Sequence, residues 1–184
     1  SWIIEAEKRG LSNYNSTPIA LSHYLDDKNR KVLIDNGILT ETEMNSRYEI
    51  YLEKYYKTIN IEVMAMLDML KKDILPSISD YENKIISLLK TYESSDISTD
   101  NLYDKKVLTK ILENKKNISL LITRSEEMLK DIENKTTLEK AFFYHDEIIP
   151  LMEEMRKYSD EIEKICDRKY WPMPTYLELL FGVD

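Results

Sequence analysis

One pattern constrains this chain more than any other. From Thr40 onward, Met44, Tyr48, Tyr51, Tyr55, Ile59, Val63, Met66, Leu70 and Ile74 recur three or four residues apart, and Ile78, Tyr81, Ile85 and Leu88 or Leu89 continue the series. That spacing lays a single apolar stripe along one face of a helix. Thr40 and Glu43 form a capping box at its start, each side chain satisfying a backbone N–H of the first turn. Pro76 interrupts the pattern without ending it, so the sequence predicts one helix over about 41–93 with a kink at Pro76 and no break. About fifty residues at 1.5 Å each give a rod about 75 Å long. A rod of that length with one apolar face needs other helices against it.

The rest of the chain supplies them. A long helix is expected over 101–133, and Thr136 and Glu139 form a second capping box that opens another over 137–170 after a link of about three residues. So short a link predicts an antiparallel hairpin. The apolar series are Leu108, Ile111, Ile118, Leu121, Met128 and Ile132 on the first, and Leu138, Phe142, His145, Ile149, Met152, Met155, Ile162 and Ile165 on the second. Pro150 marks a further kink. The turn formers from Ser94 to Asp100 separate the rod from the second helix. Upstream, a helix over 1–9 closes at Gly10. Thr17 caps a short helix through about Tyr24 with Pro18 at its first position, and another short helix over 27–36 closes at Gly37. At the other end, Trp171-Pro172-Met173-Pro174 reads as extended chain. Thr175 and Glu178 then cap a last turn. So apolar a terminus is expected to dock.

Composition agrees with an all-α reading: three glycines and five prolines in 184 residues are too few for the frequent turns of a β-sandwich or barrel. The expected organisation is a short-helix segment over 1–37, an antiparallel bundle of long helices over 38–170, and a docked tail over 171–184. With 26 Lys+Arg against 34 Asp+Glu, the net charge is −8. The densest basic runs, Lys71-Lys72, Lys105-Lys106 and Lys115-Lys116, are interleaved with acids, so a nucleic-acid surface is not expected. No run of about eighteen apolar residues exists to span a membrane. A lone cysteine, Cys166, cannot form an internal disulfide, which fits a reducing, cytoplasmic setting. The chain starts at Ser1 with no initiator Met, as expected of a piece of something longer or of a processed chain. The sequons at Asn15, Asn117 and Asn134 read as accidental.

No catalytic, cofactor-binding or metal-ligating residue is assigned. Gly10, Gly37 and Gly182 lie too far apart to make a phosphate-cradling loop. A di-iron bundle needs Glu-x-x-His pairs, but Ala20 and Phe142 stand three residues before His23 and His145. His145 falls on the apolar series and reads as a core histidine, Cys166 as a small core filler, and Tyr48, Tyr51, Tyr55 and Tyr56 as a seam that buries rings. The acids Glu153, Glu154, Asp160, Glu161 and Glu163 read as a solvated face. Physics alone therefore gives a helical interaction or assembly module.

A resemblance adds to this. Trp2 to Leu11, Ser46 to Glu53, Lys57 to Glu62, Asp73-Ile74-Leu75-Pro76, and the ending Tyr170 to Tyr176 with Leu179-Leu180-Phe181 resemble, in order, the C-terminal region of type III glutamine synthetases. Residues 92–133 match that family only in being helical. The resemblance implies a parent that ligates ammonia to glutamate with ATP, through a γ-glutamyl phosphate, and assembles as a large homo-oligomer. It implies ATP and Mg2+ or Mn2+ in a catalytic domain upstream, none held by these residues, and an end or linker of that domain in 1–37. The partners implied are that catalytic domain and neighbouring subunits, and the role is subunit packing. The alternatives are a free-standing module whose groove takes a partner helix, and a regulatory element acting on the parent's active site.

Overall fold

The computed structural model describes residues 2–95, 98 and 102–182. Among them there is no strand. The helices are α1 (Trp2–Lys8), α2 (Thr17–Ser22), α3 (Asp27–Asp35), α4 (Glu41–Met69), α5 (Leu75–Ser94), α6 (Tyr103–Lys130), α7 (Thr137–Phe143), α8 (Ile149–Glu163) and α9 (Tyr176–Phe181). A π turn over Leu70–Ile74 joins α4 to α5, and another over Tyr144–Ile148 joins α7 to α8. The expected long helix is thus continuous, and so is the helical path across Pro150.

The two π turns explain how the helices survive their prolines. A proline has no N–H to give, and its ring clashes with the carbonyl four residues back in an ideal α-helix. Just before Pro76 the Leu75 N–H bonds to the Leu70 carbonyl, and just before Pro150 the Ile149 N–H bonds to the Tyr144 carbonyl. Both are five-residue closures, which insert one extra residue into the turn. A π turn thus stands just before each proline at which a kink was expected.

The chain divides into two compact units, Ser1–Ile61 with Ile132–Ile149, and Glu62–Asp131 with Pro150–Asp184. In the first unit, Met44, Leu52 and Ile59 from α4 are buried, as are Pro18, Ala141, Tyr144 and Ile148. Tyr144 donates its hydroxyl to Asn60 Oδ1 at 2.8 Å and stacks on Tyr56. Arg30 fastens α3 to the start of α4 through Glu41 and Asn45. The capping box at Thr40 is present, with Glu43 N–H donating to Thr40 Oγ1 and Thr40 N–H to Glu43 Oε2.

In the second unit the core comprises Val63, Leu67, Leu70, Ile74, Ile78, Ile85 and Leu89 against Val107, Ile111, Ile118, Leu121 and Ile122, together with Leu151, Met155 and Ile162. Helices α5 and α6 pack on each other. Lys71 bonds Glu126 at 2.7 Å and Lys115 bonds Glu82 at 2.6 Å. The lower number of one pair goes with the higher of the other, which fixes an antiparallel register.

Several boundaries and phases differ from the sequence reading. Ser16, and not Thr17, caps α2: its Oγ accepts from the Ile19 N–H, and Pro18 stands second in the helix. On α4, Leu52 and Leu67 take the buried places expected for Tyr51 and Met66, and Tyr51 is 41% exposed. The Tyr seam is thus only half buried, because a phenol keeps its hydroxyl near water while leucine has nothing to satisfy. The helix expected to reach Tyr170 stops at Glu163. There Asp167 Oδ1 accepts from the Lys169 N–H, a local bond that competes with the helical ladder, while Oδ2 accepts from the distant Lys84. The turn cluster expected at Ser94–Asp100 and the helix start at Asn101 lie largely outside the described residues, and α6 is seen from Tyr103.

Candidate functional site

His145 is the residue whose placement departs most from expectation. Within the π turn the buried position belongs to Tyr144, and His145 comes out on the neighbouring face with 37% of its side chain exposed. Its Nδ1 lies 2.6 Å from Asp146 Oδ1. In the first unit it lines a hollow of about 440 Å³ with Tyr14, Asn15, Ser16 and Tyr55. Tyr14 in turn stacks on His23, at 4.3 Å between ring centroids, and His23 Nδ1 lies 2.9 Å from Asp26. Each imidazole is thus oriented by a carboxylate. All four groups are in good contact with water, so these pairs contribute little to stability. Among the described residues, no group of three or more His, Cys, Asp or Glu side chains is placed to hold a metal ion.

An apolar groove of about 410 Å³ lies beside that hollow, lined by Leu21, Tyr51, Tyr55, Thr58 and Ile59. Burial raises the Tyr55 hydroxyl above its ordinary value, with the Asp146 charge adding to it. The second unit carries a different groove, of about 440 Å³, between the end of α4 and the end of α6. Met64, Leu67 and Leu129 form its apolar part, with Asp68, Lys71 and Glu126 alongside. The first is mainly apolar, with Lys54 also in its lining, while the second offers charges of both signs.

Cys166 is half-buried, and its thiol donates to the Asp167 carbonyl at 3.6 Å. Burial pushes the thiol up to about 11, with the Asp167 charge pushing the same way. It therefore holds almost no thiolate at neutral pH and is a poor nucleophile.

The best-built feature of the second unit went unassigned in the sequence reading. Lys84 on α5 bonds Asp167 at 2.9 Å and lies over the Tyr170 ring, and Tyr81 packs on Tyr170 at 5.4 Å. Arg168 donates to the Trp171 carbonyl at 3.0 Å and pairs with Glu178. Glu178 closes the capping box with Thr175, whose backbone N–H holds the carboxyl below its ordinary range, with Arg168 helping. The result is an anchored turn that buries Trp171 to 6% exposure beside a cavity of about 260 Å³. The Trp-Pro-x-Pro run was the signal: prolines on either side of Met173 stiffen the chain that leaves the indole.

The docking expected of the tail holds for Trp171 and fails for α9. Leu177, Leu179, Leu180 and Phe181 are 65%, 68%, 74% and 69% exposed. α1 is similar, with Trp2, Ile3 and Ile4 all more than half exposed. No helix is long and apolar enough to cross a membrane among the described residues.

Residues 1–93 match the family model described as the glutamine synthetase C-terminal domain. A glutamine synthetase from Bacteroides fragilis is 35% identical, across 98% of this chain and 25% of its own length. One from Butyrivibrio fibrisolvens is 32% identical across 99% of this chain and 26% of its own length. A type-3 glutamine synthetase from Dictyostelium discoideum is 33% identical across 98% of this chain and 25% of its own length. The chain spans about a quarter of the length of the curated relatives it matches. With half of its residues inside the family model and nearly all of them aligned to those relatives, the chain belongs to the glutamine synthetase C-terminal domain family.

Proposed function

We propose that this chain is the helical C-terminal part of a cytoplasmic glutamine synthetase of the type III kind, and that it works there as a packing element. Its contribution is to subunit contacts and assembly of the homo-oligomer, and ligation of ammonia to glutamate with ATP and Mg2+ or Mn2+ takes place in the remainder of the longer protein. The observation that carries this reading is the exposure of large apolar side chains on α1 and α9, beside a well-formed core. A protein that works alone rarely leaves such patches uncovered.

Removal of residues 38–184 from the full-length protein is the test. The expected outcome is loss of the native oligomer mass or of solubility. An unchanged native mass with unchanged synthetase activity would overturn the assembly role. The regulatory alternative has its own signature, activity that changes while the oligomer stays intact. The groove formed by Met64, Leu67 and Leu129 favours a third reading, a helix-binding module, because an apolar floor between charges of both signs suits an amphipathic partner helix.

A further inference from the structure

We draw no further inference here: the strongest candidate, the groove between the end of α4 and the end of α6 in the second unit, with Met64, Leu67 and Leu129 on its apolar part and Lys71 paired with Glu126 alongside, carries nothing, because nothing in the structure shows what covers it.

Discussion

The α5–α6 hairpin and helix α9 carry side chains of the same kind and treat them in opposite ways. Ile78 and Ile111 are fully buried, whereas the leucines of α9 are about two-thirds exposed or more. Neither α5 nor α6 has a side-chain N-cap hydrogen bond, whereas α9 has a complete capping box and a left-handed Gly182 at its end. The difference is partnership. α5 faces α6 along an antiparallel register set by two ion pairs, while the ion pair that ties α9, among the described residues, is at its first turn, between Arg168 and Glu178. Local sequence thus makes a helix in both places, and only the packed one turns its apolar face into stability.

Truncation separates the two regions most sharply. Ile111→Ala should cost about 3 kcal/mol, from lost transfer energy and the cavity left behind, read as a lower midpoint in urea unfolding. The half-buried Lys115–Glu82 pair tests the register at smaller scale. Glu82→Gln keeps the shape and removes the charge facing Lys115, and should cost about 1–2 kcal/mol. Ser125 runs in the other direction. Its Oγ is buried without a partner, so Ser125→Ala should raise stability by up to about 1 kcal/mol, and a clear loss would show that the hydroxyl is bonded. Leu180→Ala on α9 should change the unfolding midpoint of this chain by less than about 0.5 kcal/mol. A cost comparable to that of Ile111→Ala would erase the contrast.

The capping boxes also predict a pH dependence. Hydrogen bonds from Thr40, Thr136 and Thr175 hold Glu43, Glu139 and Glu178 below the ordinary carboxylate value of 4.5. A group whose pKa is depressed by folding binds fewer protons folded than unfolded, so its contribution is complete above 4.5 and fades as the pH falls through the lower folded value. Helix content followed by circular dichroism should therefore drop on acidification below about pH 4. The drop should be smaller in the triple Glu→Gln variant at these positions. An equal drop would remove the boxes as its source.

Much of this fold was legible because short-range chemistry wrote it. Thr40, Thr136 and Thr175 announced three helix starts with Glu three residues on, and Gly10 and Gly37 do close helices with φ of 76° and 65°. The buried residues of α5 followed from spacing alone. The phase of α7 and α8 did not: Ala141, Tyr144, Ile148 and Leu151 are buried where Phe142, His145, Ile149 and Met152 were expected, an offset of one residue that is already present before the π turn over Tyr144–Ile148. Assigning His145 to the core was the consequence, and Tyr144 and Ile148 hold that place. The end of α8 was hidden too. Asp167 looks like any acidic helix residue until Lys84, eighty-three positions earlier, fixes its carboxylate. The absence of an assigned catalytic residue was a reading of motifs, whereas the Trp171 anchor depends on residues from three separate stretches and has no motif of its own beyond Trp-Pro-x-Pro.

The π turn over Leu70–Ile74 bears on how chains of this family can differ in length. One residue more or less in an ordinary helix rotates everything beyond it by about 100°, which would swing Ile78, Ile85 and Leu89 out of the core. A five-residue turn already stores one supernumerary residue. Deleting a single residue there lets the turn relax to the common form while the downstream side chains keep their facing. Homologues one residue shorter at this point should still align on both sides of the gap, and a one-residue deletion made there should be tolerated far better than the same deletion eight residues further on.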